Sequence, residues 1–288
     1  SATRGVDKIS FTGSTVTAKK VAAACVEKMI PFVLECGGKD PVIVDKDANL
    51  ALAAEFTLWS GMSNGGQTCI GAERVYVHEI VADEFIELLK VKSASISAGH
   101  NYGPATMPRQ LEIIQAHIDS ALHDGGSAIV GGSSSVHKPF VDPVIICDVD
   151  ESSPAITEET FGPVLIVNRV PDMDEAIIRS NATSYGLAAA VWSKHHGHQI
   201  ASQLKCGMVS INSVISFAAI ASLPFGGLKN SGMGRIHGPE RLLEFTYPRS
   251  IVKPYFQLPL KFTTFNRTAR ADKLITGIVK FLHGKSIG

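Results

Sequence analysis

Phe32-Val33-Leu34-Glu35-Cys36-Gly37-Gly38, followed closely by Pro41-Val42-Ile43-Val44, is the stretch that decides the fold class. Two short apolar runs suited to buried strands flank a pair of glycines, which accept a sharp backbone course without steric cost. Upstream, residues 8–11 read as a strand, Thr12-Gly13-Ser14 as a turn, and 15–29 as a helix. Val21, Ala24, Cys25 and Met29 fall near a 3.6-residue period in that helix, and Pro31 stops it. Downstream, helical spacing is expected over 48–62, 81–91, 109–123, 172–180 and 199–205. Strand-like runs are expected over 74–78, 141–147, 164–170, 187–192 and 208–211. Strands alternating with helices throughout point to open α/β sheets.

Composition narrows the function class. The chain has 288 residues, 45% hydrophobic and 19% charged, which suits a packed globular protein. Lys+Arg and Asp+Glu both number 27, so no global basic field exists to hold nucleic acid, and no arginine-rich run supplies a local one. Five scattered cysteines are too few for a disulfide scaffold, and a reducing, intracellular and cytoplasmic setting is expected. The chain opens without a basic and apolar leader pattern, and its longest apolar stretches fall short of the ~18 residues of a spanning helix.

Two residues invite a chemical reading. Cys69 follows Gly65-Gly66-Gln67-Thr68, in a loop whose backbone N–H groups can face a ligand; that setting would lower a thiol pKa and supply oxyanion donors. The alternative is a small buried hydrophobe, the reading assigned to Cys25, Cys147 and Cys206. Glu35 ends a buried strand, where desolvation raises a carboxyl pKa toward that of a general base working near neutrality. Its alternative is an acid paired with an arginine or with Lys39. His195, His196 and His198 cluster at a strand-to-helix junction, but no Cys or carboxylate neighbours them at ligand spacing, so no metal site is assigned.

The same glycine-flanked vocabulary recurs downstream: Glu158-Glu159-Thr160-Phe161-Gly162-Pro163-Val164, Tyr185-Gly186-Leu187-Ala188-Ala189, and 224–235 from Pro224-Phe225-Gly226-Gly227 to Met233-Gly234-Arg235. Together with Phe11-Thr12-Gly13-Ser14-Thr15 and the segments around Glu35 and Cys69, these motifs resemble the aldehyde dehydrogenase superfamily over about residues 6–253. The resemblance implies an α/β catalytic domain joined to the C-terminal remnant of a Rossmann-like cofactor domain. It implies NAD or NADP as cofactor, an aldehyde substrate, and a homo-oligomer when complete. By the same resemblance, Cys69 matches the nucleophile that forms a thiohemiacetal and then a thioester, and Glu35 the base that activates the hydrolytic water. Gly13 and Ser14 match the turn facing the cofactor pyrophosphate, the Cys36 backbone the nicotinamide contact, and Glu159, with Phe161 beside it, the ribose contact. Phe225 matches an aromatic of the substrate tunnel. For Glu159 the alternative is a paired surface acid, and for Phe225 an ordinary core aromatic.

The implied domains are the end of the dinucleotide-binding domain at 1–37, the catalytic domain at 38–230, a returning segment at 231–256 with an oligomerisation strand near 249–255, and a basic amphipathic tail at 257–288. In that tail Leu274, Ile275, Ile278, Phe281 and Leu282 form an apolar face among Arg270, Lys273 and Lys280, either a docked terminal helix or a contact for an anionic membrane. The family carries a long portion before its Phe-Thr-Gly-Ser turn. That portion holds most of the cofactor sheet and an oxyanion-hole asparagine, so this chain is expected to be a fragment of the full enzyme, or else a catalytically inactive relative that binds a partner.

Overall fold

The computed structural model describes residues 5–256, 264–266 and 268–284. Two units are described separately, Ser1–Thr246 and Tyr247–Gly288. The larger begins with β1 (Ile9–Thr12), α1 (Thr15–Val26) and β2 (Phe32–Glu35). Ser14 caps α1, its side chain accepting the Thr17 N–H at 3.3 Å. The helix ends at Val26, earlier than expected, because Met29 takes a left-handed φ of 55° and the chain turns there.

Next come β3 (Asp40–Val44), α2 (Leu50–Met62), β4 (Ala72–His78), α3 (Glu79–Ser93) and α4 (Pro108–His123). Pro108 opens α4, where its missing N–H costs nothing, and Leu111, Ile114, Ile118 and Ala121 form the buried stripe at helical spacing. Then follow β5 (Ser127–Val130), β6 (Val136–His137), β7 (Phe140–Val141), β8 (Val144–Cys147), α5 (Pro154–Thr157) and β9 (Val164–Val170). The single strand expected over 141–147 is thus two, split around Pro143, which has no N–H to give a ladder. β5 was not foreseen. It is a partly exposed edge strand with little apolar character to mark it.

The unit closes with α6 (Met173–Asn181), β10 (Ala188–Trp192), α7 (Gly197–Ala201), β11 (Met208–Ile211), β12 (Gly232–Met233) and α8 (Gly238–Glu244). The helix expected at 199–205 starts and stops earlier.

Seven strands form the main sheet in the order β11-β10-β3-β4-β9-β8-β5, parallel except where β5 runs against β8. The strands β3, β4, β8 and β10 are buried along their whole length, as a parallel sheet covered on both faces requires. A smaller sheet, β1-β2-β12, pairs β1 and β2 in parallel and returns β12 antiparallel to β2, with Gly232 opposite Glu35. The chain passes from the small sheet to the large one between Glu35 and Asp40, the stretch that carries the two glycines. The fold is α/β.

In the second unit the described structure is α9 (Ala269–His283), capped by Thr268. Leu274, Ile278, Phe281 and Leu282 are exposed along it. Residues 249–255, expected as a strand, are not in a strand and pair with none among the described residues. Of the basic tail residues, Lys261, Arg267 and Lys285 lie outside the described residues. No helix among the described residues is long and apolar enough to cross a membrane.

Candidate active site

The loop between α2 and β4 carries Cys69. Asn64, Gly65 and Gly66 all take left-handed backbone angles, with φ of 56°, 64° and 70°. A Cβ on Gly66 would sit 2.1 Å from the Gly162 carbonyl, so only glycine fits where this loop presses on the turn before β9. Gln67 fastens the loop: its Oε1 accepts from both the backbone and the hydroxyl of Thr106 at 2.9 Å, and its Nε2 donates to the Asn64 carbonyl at 3.1 Å. A turn closed by the Gly71 N–H on the Thr68 carbonyl, at 3.0 Å, then presents Cys69.

Glu35 reaches the same place from the end of β2. Its residue is 2% exposed, and Oε1 is buried without a hydrogen-bond partner. Burial raises its pKa to about 7, opposed by the charge of Arg235. That guanidinium donates to the carbonyls of Gly234 at 2.7 Å and Gly227 at 3.2 Å, so it faces Glu35 at a distance and does not pair with it. The expected lowering of the Cys69 thiol pKa is overturned. Burial, followed by the charge of Glu35, pushes the thiol up to about 12, with the Cys69 backbone N–H opposing the rise. The loop donor is present, but desolvation and the neighbouring charge outweigh it.

Both residues line one cavity of about 690 Å³, together with Gly13, Ser14, Cys36, Glu159 and Phe161. The Gly13 N–H donates to the Glu35 carbonyl at 3.0 Å, which ties the turn before α1 to β2. Cys36 packs against Ala18 and Leu34 beneath α1 and also lines the cavity. Glu159 accepts the Gly38 N–H at 3.2 Å, and a Cβ on Gly37 would lie 2.1 Å from its Oε2. Burial and the Glu73 charge raise the Glu159 pKa to about 7. Phe225 is not in this wall. It is buried in a cluster with Leu187, Ala188, Met208 and Phe217 that Cys69 packs against, with ring centroids 6.2 Å from Phe217 and 5.3 Å from His237.

The turn holding Glu159 has an anchor that the sequence did not reveal. Glu73, at the start of β4, accepts the N–H of Thr160 at 2.8 Å and of Phe161 at 2.9 Å, where Phe161 has a left-handed φ of 48°. Buried Lys39 donates to Glu73 at 2.5 Å and to the Thr160 hydroxyl at 3.0 Å, and His117 shares that hydroxyl at 3.0 Å. Charges written into or beside otherwise apolar strands, Glu73 within β4 and Lys39 just before β3, are the available signal, since buried charges come paired.

The histidine cluster also differs from expectation. Pairing of β3 with β10 brings carboxylates to it: His196 Nδ1 lies 2.8 Å from Asp45 and 3.9 Å from Asp47. Asp47 already accepts the N–H groups of Lys194 and His195 and the Ser193 hydroxyl, bonds that close the loop without an ion.

The cavity has the donor set for a dinucleotide. The N-terminus of α1 at Gly13–Ser14 favours an anion such as pyrophosphate, and Glu159 can accept from sugar hydroxyls across the space that Gly37 keeps open. Residues 1–251 match the profile described as "Aldehyde dehydrogenase family".

The chain belongs to the aldehyde dehydrogenase family.

Among its relatives in that family is the 4,4'-diapolycopene aldehyde oxidase of Methylomonas sp., 35% identical over 285 residues, covering 97% of this chain and 53% of the relative. A putative NADP(+) succinate-semialdehyde dehydrogenase of Mycolicibacterium smegmatis is 36% identical, covering 85% of this chain and 50% of the relative. Among solved structures, the NADP-dependent glyceraldehyde-3-phosphate dehydrogenase of Bacillus halodurans, complexed with NADP, superposes with a TM-score of 0.80 at 35% identity. That match covers 86% of this chain and 52% of the other. This aldehyde dehydrogenase family chain spans about half the length of the curated relatives it matches.

Proposed function

We propose that the complete protein oxidises an aldehyde to a carboxylic acid with NAD or NADP, using Cys69 as nucleophile and Glu35 as base. The observation that carries this reading is the shared cavity, in which Cys69, Glu35, Glu159 and the N-terminus of α1 face one space. The Cys69 sulfur adds to the aldehyde carbon to form a thiohemiacetal. Because the thiol sits protonated in its buried loop, attack requires a proton acceptor, and Glu35, close to half ionised at neutral pH, suits that part. A bound nicotinamide dinucleotide supplies the hydride acceptor, held at Gly13–Ser14, Cys36 and Glu159. Once Glu35 has released the thiol's proton to solvent, it takes a proton from water; the resulting hydroxide attacks the thioester carbon, the C–S bond breaks, and the product leaves as a carboxylate with Cys69 restored as a thiol and the second proton released from Glu35.

The test is nicotinamide reduction by the protein expressed with its natural upstream sequence. Turnover that disappears in Cys69→Ala supports the assignment, and full turnover in that variant ends it. A wild-type protein with no turnover on any aldehyde would favour a second reading, a catalytically silent relative that binds a partner.

The further readings concern assembly and place. Homo-oligomer formation through 249–255 is supported by the exposure of Ile251, Val252 and Tyr255, and light scattering of the complete protein tests it. Peripheral contact of α9 with an anionic membrane is supported by its exposed apolar residues and by Arg270, Lys273 and Lys280. Sedimentation with phosphatidylserine vesicles checks that contact. Five free cysteines suit an intracellular, reducing setting.

A further inference from the structure

Asp40 is a buried acid for which the aldehyde chemistry has no use. It opens β3, is 4% exposed, and its Oδ1 accepts the Ala188 N–H at 3.0 Å. Its Oδ2 is buried and meets no hydrogen-bond partner. The carboxyl borders two cavities of about 10 Å³ each, room for about one water molecule apiece.

No nearby cation is available to neutralise it. Lys39 is taken by Glu73 and Thr160. The Arg74 guanidinium donates to the carbonyls of Lys39, Arg179 and Ser180 and to the Tyr76 hydroxyl. Glu73 and Glu159 add negative charge, Lys205 and the Tyr185 phenol only border one cavity, and the thiols of Cys69 and Cys206 are the other titratable neighbours among the described residues. An unpaired buried carboxylate is costly enough that such a group takes up a proton instead. Burial accordingly lifts Asp40 well above the usual carboxylate range.

The acid is also built into the nucleophile's seat. A Cβ placed on Gly38 would lie 2.5 Å from Asp40 Oδ1 and 2.7 Å from the Cys69 carbonyl oxygen. The Asp40 carboxyl and the Cys69 carbonyl therefore both pack over the bare face of Gly38, in the link between β2 and β3. We propose that Asp40 is a positioning residue for Cys69 that works as a neutral carboxylic acid. Its Oδ1 locks Ala188, Gly38 and the Cys69 backbone into one unit, and its Oδ2 hydroxyl donates to water in the adjoining cavities. Neutrality matters because an ionised Asp40 would set a third negative charge against a sulfur that already faces Glu35 and Glu159. The inference rests on Cys69 being the nucleophile.

Three measurements test it. In the 288-residue chain, Asp40→Asn should alkylate at Cys69 with iodoacetamide at the wild-type rate between pH 6 and 8, with Cys69→Ser as the blank. An acceleration of about tenfold or more at neutral pH would mean that wild-type Asp40 is charged and would overturn the proposal. Infrared difference spectra at pH 7 should show one protonated-carboxyl band lost in Asp40→Asn; an unchanged spectrum would also overturn it. In the complete protein, Asp40→Ala should lower kcat by about tenfold or more with the cofactor KM unmoved, and Asp40→Asn should restore it. An Asp40→Ala enzyme with wild-type kcat would refute the positioning role. Should Asp40→Ala fail to fold, the Asn variant and the infrared band still decide. Full turnover in Cys69→Ser would sink the nucleophile assignment while leaving the infrared result standing.

Discussion

Lys39 and Glu73 form a buried ion pair, with side chains 0% and 5% exposed, between the exit of β2 and the turn that carries Glu159. Each partner leaves the other stranded if removed. Glu73→Gln should therefore destabilise the chain by about 3–5 kcal/mol, and the Lys39→Met/Glu73→Gln pair should recover a substantial part of that loss. Urea unfolding of the two single variants and the double variant closes the cycle. Additive losses would mean that the two side chains act independently.

Glu35 makes stability depend on pH in a defined direction. Its carboxyl titrates near 7 in the folded chain against an ordinary 4.5, so the folded state holds its proton longer than the unfolded chain does. The wild type should lose stability as pH rises from 4.5 to 7, by up to about 3 kcal/mol before relaxation of the site is counted. Glu35→Gln cannot ionise, so its stability relative to wild type should rise across that window and level off above it. In the complete protein the same variant should slow the burst of acylation as well as the steady turnover that follows it, because both steps use the Glu35 carboxylate as proton acceptor.

Glu159→Gln should weaken cofactor binding, seen as a raised cofactor KM or as lost quenching of protein fluorescence. Its effect on iodoacetamide alkylation of Cys69 should be confined to removing one nearby negative charge, hence equal or faster reaction. Unchanged cofactor affinity would leave the acid with a purely structural part.

Gly66→Ala meets both a left-handed φ of 70° and a carbonyl 2.1 Å away. The left-handed backbone alone costs about 1–2 kcal/mol, and relieving the overlap adds to it. Thermal unfolding should show a lowered Tm, and Cys69 alkylation should change at the same time because the loop must move.

Much of the sheet could be read from the chain because parallel strands buried on both faces announce themselves as apolar runs, as 41–44 and 164–170 do. Glycine pairs beside an acid or a thiol marked the loops that meet at the cavity. The edge strand Ser127–Val130 stayed hidden because half-exposed pairing leaves no hydrophobic run. The network of Lys39, Glu73, His117 and Thr160 was illegible for a different reason. A charged letter in a sequence does not say whether it is solvated, and here pairing across distant strands lets it be buried. The thiol of Cys69 departs from expectation on the same ground: a backbone donor in a loop is visible in the sequence, whereas the burial of the sulfur and the approach of the Glu35 charge from the end of β2 are not.

The contact of Gly66 with Gly162 has a mechanical corollary. The segment that bears Cys69 and the segment that bears Glu159 touch main chain to main chain, with no side chain between them to act as a cushion. Neither can be reshaped for a new substrate or a new nucleotide without displacing the other, so engineering one specificity on this scaffold will require re-selecting its neighbour in the same round.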